Sequence, residues 1–415
     1  MEDATMRLKK FLLAALAAAA LAGTAAWFSL DKETRGFLKA MPTNRDVLFW
    51  SQSQRDAAFR ALDRLPVLAR ARAIPAGGAP RPLPPGPPLP KLAAEVDAFM
   101  ASQRNAALLI VHDGKLRLER YGLEFDAAGR WTSFSVAKSL TSTLVGAAIA
   151  DGHIKSMDDK VSAYIPQMKG SAYDEVSLRQ LLTMTSGVKW NEDYGDPNSD
   201  VARFNNHAPE DGVEALVSYL RRLSREVPAG KRWHYSTGET NLVGVIVAQA
   251  VGKPLSEYLS EKIWRPAGME QSATWILSRT GREISGCCIQ AATRDFARFG
   301  LFILDGAQVD GKSIVPAGWL AEATSERVGI GQPGRGYGYQ WWTFADGSFM
   351  ARGIFGQGVF IDPKRKLVIA SNANWAAGAS DKPTSEARHA FYRAVQQALD
   401  EEAAAGTSSR APAGS

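Results

Sequence analysis

The chain has 415 residues, 45% hydrophobic and 22% charged, which excludes a disordered protein, a collagen-like repeat and a polytopic membrane protein. The net charge is +6, unevenly spread: residues 1–91 carry 14 Lys and Arg against 7 Asp and Glu, residues 92–415 carry 35 against 36. The basic excess thus lies beside an apolar N-terminal stretch and not on the part expected to fold, so no nucleic-acid partner is expected.

In chain order, Arg7, Lys9 and Lys10 precede Phe11–Leu30, twenty residues without a charge. Residues 1–30 read either as a signal peptide, with Ala20-Leu21-Ala22 as the cleavage site, or as a membrane anchor. Both readings place the rest of the chain outside the cytoplasm, periplasmic or membrane-anchored. Asp31–Arg72 reads as polar and helical. Ile74–Pro90 holds eight of the 21 prolines and reads as an extended linker or wrap closing a segment 31–90. Residues 91–402 form the expected catalytic domain, and 403–415 a disordered tail.

Within residues 91–402 the pattern is α+β. Lys91–Ser102 is an amphipathic helix. Ala106–His112 and Lys115–Tyr121 flank Asp113-Gly114, a hairpin signal. Helices are expected at Ser135–Asp151, Ser177–Met184, Gly212–Leu223, Thr240–Val251 and Thr293–Leu304. Strands follow at Tyr337–Thr343, Ser348–Gly353, Gln357–Ile361 and Lys366–Ser371, then a closing helix Thr384–Ala403. Strands at both ends of the domain point to one antiparallel sheet flanked by helices, with a helical lobe between. The cysteines Cys287 and Cys288 are adjacent, give no disulfide framework, and read as a small buried unpaired couple. Five scattered histidines lack metal-ligand spacing, so neither metal nor cofactor is expected. Gly329–Gly334 matches G-x-G-x-x-G but lacks a preceding apolar strand, and Pro333 removes a phosphate-binding N–H; it is a turn.

The chemistry gathers at Ser135-Val136-Ala137-Lys138. A serine needs a base to become a nucleophile, and a lysine three residues on shares its helix face. The tetrad alone is weak evidence, because Ser29-Leu30-Asp31-Lys32 matches it too. Tyr235 lies 100 residues beyond Ser135, before a helix, where a nearby lysine would make it a general base and acid. Ala351–Gly358 is Gly-rich between apolar strands, where a backbone N–H can meet a substrate carbonyl.

This order of motifs resembles the serine β-lactamase and penicillin-binding superfamily. It is closest to the class C-like branch of esterases and 6-aminohexanoate-dimer hydrolases. The matching stretches are Trp131–Ser139, Gln180–Gly187, Asn191–Pro197, Tyr235–Gly244, Ala292–Gly300, Tyr337–Trp342 and Gly356–Pro363. The resemblance implies a β-lactamase/transpeptidase-like fold, Ser135 as acylated nucleophile, Lys138 as its proton partner and Tyr235 as base and then acid. It implies an oxyanion hole from the N–H groups of Ser135 and Ile354, and substrate contacts from Tyr194, Trp341, Trp342 and Gly353. Two departures, Tyr235-Ser236-Thr237 for Tyr-x-Asn and Ala351-Arg352-Gly353 for Lys-Thr-Gly, argue against an efficient β-lactamase. The expected partner is a small ester or amide substrate, with a membrane contact if residues 1–30 stay attached. A D-Ala-D-Ala carboxypeptidase, a weak β-lactamase and a catalytically silent binding protein are the competing readings.

Overall fold

The computed structural model describes residues 2–210, 212–376 and 382–408. An eight-stranded antiparallel sheet runs in the spatial order Lys115–Tyr121, Asn105–His112, Leu367–Ala373, Gly358–Asp362, Phe349–Arg352, Trp342–Phe344, Arg335–Tyr337 and Val328–Gln332. The first and last parts of the domain meet where Asn105–His112 pairs with Leu367–Ala373. The hairpin at Asp113-Gly114 forms because both residues take left-handed angles, φ 47° and 73°, the twist a two-residue turn between antiparallel strands requires.

The paired strands Asn105–His112 and Leu367–Ala373 are buried along nearly their whole length, and their alternation assigns each face a partner. Leu109 and Val111 join the main core, whereas Leu108 and Ile110 pack with Phe99, Phe391 and Val395 of the helices Ala93–Ser102 and Lys382–Ser408. The helix Thr293–Leu304 covers the first face, and a Cβ on its Gly300 would stand 2.5 Å from Val368. A helical lobe containing Ala137–Ala150, Leu178–Leu182, Ala215–Leu220 and Thr237–Val251 completes the domain.

The break drawn after residue 90 is not a break in packing. Trp50, Phe59, Leu62, Leu68 and Ile74 belong to the same core as the helical lobe. Ala71–Ile74, whose first two residues were expected to end a helix, is a strand and pairs antiparallel with Ala273–Ile276 in a second sheet that continues through Ile289–Ala291 to Trp131–Thr132. The proline-rich stretch lies along the domain, with the Leu116 N–H donating to the Pro84 carbonyl at 2.8 Å and the Arg81 N–H to that of Gly268 at 2.8 Å. The closing helix spans Lys382–Ser408 and overruns the expected tail; residues 409–415 lie outside the described residues. The helix Glu2–Ser29 includes Thr5–Ser29, long and apolar enough to cross a membrane, with none of that stretch buried against protein.

The strand expected at Tyr337–Thr343 is two strands with a turn between them. Gln340 sits in the turn at φ 64° and is buried, its side chain bonded to the Thr240 hydroxyl at 2.7 Å and the Leu181 carbonyl at 3.2 Å. The Gly329–Gly334 hexad is strand followed by a hairpin turn into Arg335–Tyr337.

Candidate active site

Ser135 follows Trp131–Thr132 and sits in a single 3₁₀ turn, Phe134–Val136, that feeds the helix Ala137–Ala150. Through Trp131–Ala148 it is the one residue not fully buried. The backbone that presents it is strained, since Phe134 has φ 43°, a region costly for a bulky residue unless the surroundings enforce it. Phe59 and Phe355 enforce it, each with its ring centroid 5.0 Å from that of Phe134.

Lys138 lies one turn on and is buried. Its Nζ donates to the Thr237 hydroxyl at 3.0 Å and to the Gly286 carbonyl at 2.8 Å, and stands 5.3 Å from the centre of the Tyr235 ring. Burial pulls its pKa down to about 8, with Glu192 opposing. Tyr235 enters from the far side, just before the helix Thr237–Val251. Burial raises its pKa well above the ordinary value and Glu192 adds to this, while the neighbouring Ser135 hydroxyl and the charge of Arg352 oppose it. Its ring stacks on Trp342 at 5.6 Å.

Gly353 brings the third element in. A Cβ there would stand 2.8 Å from the Ser133 carbonyl oxygen, so only glycine lets this segment lie against the Ser135 turn. Among the described residues, neither the Ser135 N–H nor the Ile354 N–H meets a protein acceptor. Both residues border the same two openings, a cleft and a chamber.

Two expected neighbours are placed differently. Trp341 does not reach the site; it is buried against Phe299 at 6.0 Å and Phe349 at 5.2 Å, because alternation turns it into the core while Trp342 faces the cleft. Tyr194 reaches it, but its hydroxyl donates to Glu192 at 2.6 Å. Glu192 is the residue that sequence reasoning missed. Its carboxylate accepts from the Thr237 N–H at 2.9 Å, the Thr237 hydroxyl, the Trp190 indole and Tyr194. The signal was its place in Asn191–Pro197, a stretch already singled out for Tyr194.

Arg352 lies over the Trp342 ring at 4.8 Å, with Nη2 3.4 Å from the Ser385 hydroxyl. Burial lowers its pKa to about 9, helped by Arg388 and Arg335. The two cysteines expected to be unpaired are joined as Cys287–Cys288, directly after the carbonyl that holds Lys138. Among the described residues no three His, Cys, Asp or Glu side chains gather as metal ligands.

The chain is similar to known proteins in sequence and in fold. The family model described as Beta-lactamase matches residues 92–393. The chain is 30% identical over 299 residues to a 6-aminohexanoate-dimer hydrolase of Paenarthrobacter ureafaciens, covering 68% of this chain and 74% of that protein. It is 26% identical over 186 residues to a beta-lactamase of Pseudomonas fluorescens, covering 43% and 48%. In three dimensions it is similar to a Bacillus anthracis protein provisionally designated a 6-aminohexanoate-dimer hydrolase, with TM-score 0.70, 22% identity, and 83% and 95% of the two chains covered.

Proposed function

Since the chain belongs to the beta-lactamase family, we propose that it is an exported serine hydrolase cleaving carboxylic esters or linear amides through an acyl-enzyme on Ser135. The observation that carries this reading is the placement of a partly exposed Ser135 in one cleft with Tyr235, one turn before the buried Lys138, whose Nζ stands 5.3 Å from the centre of the Tyr235 ring. The similarity to a 6-aminohexanoate-dimer hydrolase supports the linear ester and amide class, and the Thr5–Ser29 helix supports export or anchoring.

Burial raises the phenol and lowers the lysine, so the resting pair favours a protonated Tyr235 and gives Lys138 a substantial neutral fraction near pH 8. The Ser135 oxygen attacks the substrate carbonyl carbon and its proton passes to the Tyr235–Lys138 pair. The carbonyl π electrons move onto oxygen, where the N–H groups of Ser135 and Ile354 receive the charge. Collapse breaks the bond to the leaving atom, which takes its proton from Tyr235. Water then attacks the acyl-enzyme by the same route and releases the acid.

The test is p-nitrophenyl butyrate hydrolysis by the full chain in detergent, beside Ser135→Ala. Turnover lost in the variant supports the reading; equal turnover in both overturns it. A second reading, a D-Ala-D-Ala carboxypeptidase or weak β-lactamase, draws on Arg335 and Arg352 in the cleft, which suit a carboxylate-bearing leaving group. Labelling of Ser135 by a fluorescent penicillin is its test. A folded protein that no acyl donor modifies at Ser135 would be a silent binder.

A further inference from the structure

Ser135 and Ile354 stand between two spaces. On one side is the cleft bordered by Trp233, Tyr235, Arg335, Trp342 and Arg352. On the other is a chamber whose inner wall includes Leu48, Trp50, Leu68, Phe204, Ile276 and Ile354. Tyr235 borders the cleft and not the chamber. The group that hands a proton to the leaving atom must face that atom, so the leaving half of the substrate occupies the cleft and the acid half points into the chamber.

We infer that this chamber is an acyl-chain subsite, and that the acid half of the substrate is an unbranched aliphatic chain. The inference rests on the reading of Ser135 as the acylated residue. The chamber is roofed by residues 45–50 and 68–70, which the catalytic motifs do not include; without them the Ser135 turn would open to solvent on this side. Its wall includes Tyr194 and Thr237, whose hydroxyls already donate to Glu192 and so offer a polar or charged chain little compensation for lost water; Asn205 and Asn206 also border it. The basic groups at its outer end are occupied. Arg45 donates to the Val67 carbonyl at 3.0 Å, and Arg70 to the Ser278 and Arg279 carbonyls at 3.1 and 2.7 Å. Asp46 is exposed at the rim.

The way in is also apolar. Among the described residues every exposed large hydrophobic side chain lies in residues 6–67, and beyond the first helix these are Leu38, Phe49 and Val67. Phe49 borders the chamber itself. A chain entering past Phe49 meets Leu48, Trp50 and Leu68 on its way to the nucleophile.

The experiment uses the full chain in detergent with p-nitrophenyl esters from acetate to decanoate. The expected kcat/KM rises about threefold per added methylene until the chamber is filled. The decanoate-to-butyrate ratio should fall about tenfold in Leu48→Trp, which places an indole where the chain would lie. Because this ratio is internal to each preparation, partial loss of folded enzyme leaves it unchanged. The heptanoyl ester should also exceed its 6-aminohexanoyl isostere at least about tenfold, since among the described lining residues the one carboxylate, Asp46, lies at the exposed rim and not at the inner wall. A series that is flat or falls beyond butyrate, an unchanged ratio in Leu48→Trp, or an aminohexanoyl ester that matches the heptanoyl ester would overturn the inference and leave the Ser135 reading intact. Absence of turnover with every ester would overturn both.

Discussion

The Lys138 Nζ lies 3.0 Å from the hydroxyl oxygen of Thr237, and that hydroxyl in turn donates to the Glu192 carboxylate. The lysine is therefore tied to an acid through a neutral relay and does not form a direct ion pair. Direct pairing would hold the lysine charged; the relay leaves burial as the dominant influence on it. Thr237→Val keeps the shape and removes the relay, leaving the carboxylate with an unmet acceptor and the lysine with the Gly286 carbonyl. We expect kcat to fall about tenfold or more with KM little changed, and Thr237→Ser to restore most of it. Equal kcat in Thr237→Val and wild type would remove the relay from the mechanism.

The pH profile should report the same linkage. Lys138 acts as a base only when neutral, so activity should rise with pH through about 8. Glu192 is the charge that holds this value up against burial. Glu192→Gln removes the charge and keeps a hydrogen-bonding side chain, so the ascending limb should move to lower pH. A limb that stays in place, or moves upward, would mean that another group titrates there.

Much of this site was legible because its chemistry is local. Ser135 and Lys138 share one helical turn, and Tyr235 immediately precedes a helix that the periodicity marks. Trp341 was misplaced because two adjacent tryptophans on a strand face opposite ways, and sequence alone does not say which faces the core. Glu192 went unseen because its role depends on Thr237, 45 residues away, not on any pattern of its own. The strand Ala71–Ile74 was missed for a related reason: its partner, Ala273–Ile276, lies some two hundred residues on, and four residues carry too little alternation to show.

Glu239 is a fully buried acid of the same region. Burial raises its pKa to about 8, a bond from Ser186 opposes this, and Glu192 adds to it; one of its oxygens has no partner among the described residues. Its native value exceeds the unfolded value, so folding takes up a proton between about 4.5 and 8. The stability linked to this group is fully present below the lower value and is lost as pH rises through the upper one. Glu239→Gln removes that dependence. Thermal melts should show the variant gaining on wild type as pH is raised from 5 to 8. Parallel Tm curves across that range would show that the carboxyl does not titrate as described.

Phe59 tests whether residues 31–90 are part of the catalytic unit. It is fully buried, with its ring 5.7 Å from Trp131, 5.0 Å from Phe134 and 5.6 Å from Phe355. It therefore supports both sides of the proposed oxyanion site, the turn carrying Ser135 and the segment carrying Ile354. Phe59→Ala should cost about 3–5 kcal/mol through the cavity it leaves, a large share of a typical domain's stability. It should also slow the enzyme below its melting point, because Phe134 then lacks one of the two rings that hold its strained angle. Phe59→Leu fills most of the space and should recover stability more fully than kcat, since a branched aliphatic group does not reproduce the edge contacts of the ring. If Phe59→Ala melts like wild type, the segment is a passive wrap and the support assigned to it is absent. If it melts lower but keeps wild-type kcat at a permissive temperature, Phe355 alone holds the Ser135 turn.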